Sequence, residues 1–410
     1  MGMPVTAAPN PVAAGASVAT TSVEALEVTQ SVQTLTNDVP LVRGKSTVIR
    51  LYLQITSPAA GMFFGELAIA KSPGAPAQYV PSLNTVDASV IRGLSLDSRR
   101  NDFTASLNFL LPANICAWPT LSISVSRVYS ADASTSITPI LPQVCLSLLA
   151  APPLRIRAVG LRYQRILQDG TVSSVAPDAL HFNYLRSYLR RAYPVASVEW
   201  SQIVVDADPM FCPPFSGPPN GTGVDTVWHD KLGLAQNQLA ALRAKDIATG
   251  TDPRTHYYGL VSDASAGLFL RGAAKDIPVK ADPSIVAVGP AGDPSKYPAL
   301  HWDGGPSYAD WYGAHEISHT FGRFHPGFCG QDASDPSFPY PQGLIGNVIS
   351  GAPIGFDVGD TELDIPMQIL PTESSHDVMT YCQNIWISPY SYKAILDRIQ
   401  DENLLYAPAV

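Results

Sequence analysis

Read for the period of its apolar positions, the chain changes texture near residue 150. From Val23 onward, short β-rich runs follow one another: Ala25–Gln33, Ser46–Ile55, Gly65–Ala70, Asn101–Leu110, Thr120–Tyr129 and Leu141–Leu149. In Val48–Ile55 β-branched and aromatic side chains are dense and partly alternate with polar ones, the pattern of a half-buried strand. Turn clusters such as Ser57-Pro58 and Ser72-Pro73-Gly74 punctuate the runs, and no long helical period separates them. This spacing predicts an antiparallel β-sandwich over residues 22–149, behind a flexible leader at 1–21.

Ala150-Ala151-Pro152-Pro153 reads as a linker, and beyond it strands alternate with helices. Strands are predicted at Leu154–Tyr163, Val198–Val205, His256–Val261 and Ser284–Val288, with a helix at Val227–Lys245. Asp178, behind Pro177, can cap a helix reaching about Ala192. Leu180, Tyr184, Leu185, Tyr188 and Leu189 form its apolar face, and Arg186, Arg190 and Arg191 read as a solvated face. Another helix is predicted from Ser307, with Asp310 in a capping-box position, to Phe321. Its Trp311, Ala314, Ser318 and Phe321 share one stripe suited to packing under a sheet. Ser388-Pro389 starts a last helix with Tyr392, Ile395, Leu396 and Ile399 on one side. The expectation is an α+β chain: an immunoglobulin-like sandwich, then a domain of twisted mixed sheet and helices over 150–410.

Composition narrows the function classes. The 410 residues are 46% hydrophobic and 15% charged, which suits a globular chain with sizeable cores. The net charge of −9, without a basic cluster, argues against nucleic acid as a partner. No apolar run approaches the roughly 18–20 residues that cross a bilayer, and a monomer is expected. Residues 1–20 lack both a positive n-region and an apolar h-region, so they are not a secretory signal as written. Five cysteines (Cys116, Cys145, Cys212, Cys329, Cys382) are too dispersed for a zinc finger. Cys116 could pair with Cys145, and Cys329 with Cys382, or all five could be reduced thiols; Cys212 is left over either way.

The chemistry concentrates in residues 315–325, His-Glu-Ile-Ser-His-Thr-Phe-Gly-Arg-Phe-His. His315 and His319, four apart, project from one helical face towards one point. Glu316 supplies a carboxylate beside them, and Gly322 can take φ > 0, so that the chain turns and His325 returns as a third ligand. Three imidazoles leave one tetrahedral position open, as in a catalytic zinc site. An amphipathic core helix has no reason to add the glycine and the third histidine.

The pattern H-E-x-x-H-x-x-G-x-x-H is the metzincin signature, and all five fixed positions are present. Downstream, Asp377-Val378-Met379-Thr380-Tyr381 resembles the Met-turn of astacins and serralysins, with a tyrosine two residues past the methionine. Pro326 after the third histidine also looks like serralysin, but the calcium-binding glycine-aspartate repeats are missing. The 53 residues between His325 and Met379 exceed what a compact member needs, so the resemblance is to the clan. The stretches Leu26–Gln30 and Val39–Lys45 are similar to β-sandwich modules that precede catalytic domains in exported bacterial proteases.

The resemblance implies a secreted or extracellular zinc endopeptidase acting on protein or peptide substrates. It implies one Zn²⁺ on His315, His319 and His325, Glu316 as general base, Met379 as a floor under the metal and Tyr381 as an oxyanion partner. It also implies an edge strand along the cleft, for which Gly267–Ala274 is the candidate. Structural Ca²⁺ has no loop motif behind it, and the acidic run Asp357–Asp364 reads as a solvated loop. Ile385-Trp386-Ile387 could wall the substrate pocket or belong to the core. The remaining histidines (His181, His229, His256, His301, His376) show no ligand spacing, though His376 stands next to the Met-turn. The alternative is a non-catalytic zinc-containing adhesion protein that recognises its partner through the sandwich. A third possibility makes residues 1–150 a pro-segment lying in the cleft.

Overall fold

The computed structural model describes residues 21–55, 61–130, 136–137, 143–166, 171–208, 224–262, 272–292 and 309–406. Among these the chain is mixed α and β, with several sheets and seven α-helices. The α+β expectation therefore holds at that level. The leader, Cys212, His301, Ser307, the turn at Ser57-Pro58 and most of Gly267–Ala274 lie outside the described residues.

Residues 21–149 form two sheets around one core. Strand Thr21–Thr29 pairs antiparallel with Val48–Ile55, which pairs with Leu107–Leu110. The other sheet is built on Met62–Ala70 against Thr120–Ser130, with Val144–Leu149 beyond. Val28, Ile49, Leu51 and Leu107 of the first sheet meet Leu67, Ile69, Ile123 and Val128 of the second in one buried cluster. Two expectations need correction. The strand expected over Asn101–Leu110 starts only at Leu107: Asp102 caps a single helical turn at Phe103–Ala105, which follows the short helix Leu96–Arg100 capped by Ser95. Short polar caps here outweigh the apolar run that follows. Cys116 and Cys145 are both free, since Cys116 is buried in the core while Cys145 faces outward on its strand.

Beyond the linker a second sheet system forms on the long strand Leu154–Ile166. It pairs parallel with Val198–Asp206 on one side and with His256–Val261 on the other. His256–Val261 in turn pairs parallel with Ala287–Pro290, against which Ala273–Ala274 runs antiparallel as the last described strand. Parallel neighbours need crossovers, and helices Ala179–Ala192 and Val224–Ala248 supply them. One sheet face packs on Leu232, Ala235 and Leu239 of the second helix. The opposite face packs on Phe182, Leu185 and Leu189 of the first, together with Ala314 and Ile317 of helix Ala309–Thr320. Asp178 caps Ala179–Ala192 in a full capping box with His181.

The two parts are stitched together by a strand that the sequence does not announce. The predicted run Ala25–Gln33 breaks after Thr29, and Val32–Gln33 leaves the sandwich to pair antiparallel with Ile354–Asp357. Ile354–Asp357 also pairs with Gln368–Leu370, so the segment between His325 and Met379 holds a three-stranded sheet whose edge comes from the N-terminal part. Around this strand, Ser31 Oγ and Lys45 Nζ donate to the Arg191 carbonyl at 2.7 and 2.9 Å, and Lys45 Nζ also donates to the Arg190 carbonyl. They cap the C-terminal end of helix Ala179–Ala192, whose last carbonyls have no partner within the helix.

Two further expectations are overturned at this junction. Arg191 is not on a solvated face: it is 2% exposed and ion-paired with the fully buried Asp357. Nor is Asp357–Asp364 simply a solvated loop, because Asp360 is also buried and accepts from Ser187 Oγ at 2.6 Å and Arg190 at 2.8 Å. Ile385, Trp386 and Ile387 are core, with Trp386 Nε1 donating to the Ser31 carbonyl at 2.7 Å.

Candidate metal centre

Helix Ala309–Thr320 is buried along its whole length, so its histidines sit in a low-dielectric setting. The helix ends in a Schellman arrangement: Gly322 adopts φ +77°, its N–H donates to the His319 carbonyl, and Arg323 N–H donates to the Ser318 carbonyl. This turn does two things. It sends the chain back so that His325 meets His315 and His319, and it leaves the Arg323 carbonyl free to accept from His319 Nδ1 at 2.6 Å. His315 Nδ1 donates likewise to the Val378 carbonyl at 2.6 Å.

These two bonds decide the tautomers. With Nδ1–H committed to a carbonyl, the Nε2 atoms of His315 and His319 carry lone pairs. Both point at His325 Nε2, at 3.2 and 2.9 Å respectively. Burial lowers all three pKa values, to about 3 for His319 and about 4 for His325, and well below the usual range for His315. The imidazoles are therefore neutral at pH 7, the form that ligates metal. Ligands held about 2.0–2.1 Å from a tetrahedral ion stand a little over 3 Å apart, so the spacing fits a cation held by three nitrogens. Among the described residues this triplet is the group of histidine, cysteine and acidic side chains able to hold a metal ion.

Glu316 is 3% exposed and accepts from the Ala274 backbone amide. Burial raises its pKa well above the usual carboxylate range, and the amide partly counters that. Tyr381 stands at the same centre, its ring 5.2 Å from His325 and 5.8 Å from His315. Met379 is buried, 1% exposed, next to Val378, whose carbonyl accepts from His315.

The expected Cys329–Cys382 pairing and two residues to which the sequence reading gave no role, Asp377 and Gln331, hold this arrangement in place. Asp377 is fully buried and accepts from the Met379 amide at 2.9 Å, the Ser388 amide at 3.0 Å and Ser391 Oγ at 2.9 Å. It ties the Met379 turn to the start of helix Pro389–Leu405, and burial raises its pKa despite these donors. Gln331 Nε2 donates to the Met379 carbonyl at 2.8 Å, and a disulfide joins Cys329 to Cys382. The loop after the third histidine is thus fastened twice to the segment around Met379. The signal for Asp377 was its place two residues before the methionine, where a short carboxylate can accept from the turn's own backbone.

The other histidines whose side chains are described have partners elsewhere. His181 completes its helix cap, His256 bridges Thr320 Oγ1 and Glu402, and His376 Nδ1 hydrogen-bonds the Gln383 carbonyl. The side chain of His229 lies outside the described residues.

No protein-family model matches the chain, and no curated protein matches it either. No helix among the described residues is long and apolar enough to cross a membrane.

Proposed function

We propose that this protein is a zinc endopeptidase of the metzincin type, with residues 150–410 as the catalytic domain and 22–149 as an immunoglobulin-like sandwich module. The observation that carries the reading is the convergence of three neutral imidazoles, two with tautomers fixed by backbone carbonyls, beside a buried glutamate. With Nδ1–H of His315 and His319 given to carbonyls, their Nε2 atoms can only accept, and their convergence with His325 Nε2 at about 3 Å suits three nitrogen donors to one cation.

His315, His319 and His325 would hold the ion, and three nitrogen donors with a fourth position open suit zinc. A zinc ion bound there supplies Lewis acidity and lowers the pKa of a water towards about 7. Glu316 takes the proton of the attacking water and passes it to the leaving amine. Tyr381 donates its phenolic hydrogen to the oxygen that gains charge, a role consistent with its place beside His315 and His325. The edge strand expected along the cleft at Gly267–Ala274 enters the described residues as Ala273–Ala274, where the Ala274 amide is given to Glu316.

Metal content by atomic absorption together with casein cleavage tests the reading. One zinc per chain and cleavage abolished by chelator are expected, and Glu316→Gln should keep the metal while losing at least about 10²-fold in rate. Casein cleavage by Glu316→Gln at the wild-type rate would sink it.

A further inference from the structure

Gly272 precedes the edge strand Ala273–Ala274 and needs no positive φ, so its identity is not explained by backbone conformation. It is explained by space. A Cβ placed there would lie 2.6 Å from both Cγ and Oε1 of Glu316 and 2.8 Å from its Cδ. Each of these is well inside van der Waals contact. The neighbouring strand approaches closely as well, since a Cβ on Gly289 would stand 3.6 Å from the Gly272 Cα. Elsewhere a glutamate could swing aside from an added methyl. Here it is 3% exposed and its carboxylate is held by the Ala274 amide two residues along the same segment.

We propose that Gly272 is a positioning residue for Glu316. Its missing side chain lets the edge strand lie flat against the carboxylate, so that strand and helix Ala309–Thr320 fix it between them. The catalytic part of this proposal rests on the endopeptidase reading above, while its geometric part does not. Holding the carboxylate in a single place removes a search that would otherwise slow proton transfer. A misplacement of about 1 Å at such a group can cost up to about 10²-fold.

A stability cycle tests the geometry without using activity. Gly272→Ala should lower Tm by at least about 3 °C when Glu316 is present and by much less in the Glu316→Ala chain, because truncating the glutamate removes the three atoms nearest to the new methyl. If Gly272→Ala alone does not fold, Gly272→Ala with Glu316→Ala must fold. Equal Tm losses in both backgrounds, or failure of both chains to fold, overturns the proposal. In the metal-loaded protein, Gly272→Ala should keep one zinc and its KM while kcat on a peptide substrate drops at least about 10-fold. Wild-type kcat in that variant overturns the positioning role. Absence of cleavage by the wild-type chain counts against the endopeptidase reading alone, since the stability cycle then still decides whether Gly272 and Glu316 are coupled.

Discussion

The junction between the two parts and the histidine centre both bury polar groups, and they solve the problem in opposite ways. At the junction opposite charges meet: Arg191 with Asp357, and Arg100 with Glu27 at 2.8 Å, all of them at most 2% exposed. Arg100 also donates to the Ala352 carbonyl at 2.8 Å, so its charge is spread over both parts. Each of these charged side chains faces an opposite charge within the chain. At the centre, like groups converge, and two of the three imidazoles spend their only hydrogen on carbonyls behind them. Their Nε2 atoms converge on a point where the three could hold a metal ion. A buried cluster that is satisfied internally reads as architecture, and one whose free lone pairs all face a single point reads as a ligand set.

The sharpest way to break the contrast is at the centre. His319→Ala should bring both metal content and casein cleavage down to background while leaving the fold intact by circular dichroism. Retained stoichiometric zinc would show that the triplet is not the metal site. At the junction, Asp357→Ala strands the Arg191 charge and should cost about 3–5 kcal/mol in urea unfolding. Replacing both partners by apolar residues should recover most of that loss, an exchange that no apolar set can make for the histidines. A loss unchanged in the double variant would mean that the pair is not the source of the stability.

Next in size is the disulfide beside the histidine centre. Replacing Cys329 and Cys382 by alanine opens a loop of sequence separation 53 and should cost about 2–4 kcal/mol, with Tyr381 losing order beside the histidines. A variant with wild-type Tm and wild-type turnover would remove the disulfide from both roles.

The smallest effect concerns pH. Burial lowers the Lys45 pKa from 10.5 to about 7, with Asp357 acting in the other direction. Between about pH 7 and 10.5 the unfolded chain therefore binds one more proton at this site than the folded chain, and stability rises with pH there. The slope for one proton is at most about 1.4 kcal/mol per pH unit. Lys45→Met should flatten the wild-type difference between urea midpoints at pH 7.5 and 9.5, and an unchanged difference would assign it to other groups.

Much of this was legible in the residues, and the gaps have physical causes. Helix Ala179–Ala192 could be read because its cap and apolar stripe are local. Arg190 and Arg191 could not be told apart, since what buries Arg191 is a carboxylate 166 positions away. The three histidines announce themselves by spacing because the helix and the φ > 0 turn are local too. Gly272 could not be read, because the atom it avoids belongs to another element and the glycine breaks no local rule. Val32–Gln33 looked continuous with the strand before it, and its true partner appears only after some 320 further residues of chain.

That strand has a consequence for how the molecule comes into being. Ser31 accepts from Trp386 across 355 positions, so this contact waits until that length of chain has followed Ser31 out of the ribosome. Pairing of this range closes slowly, because loop entropy must be overcome before the contact can form. Until then Ile354–Asp357 presents an open edge, the kind of surface on which chains aggregate. The N-terminal part is therefore less an appendage than the missing edge of the later fold. Severing it at Ala150–Pro153 would leave the segment between His325 and Met379 without the strand that completes its sheet.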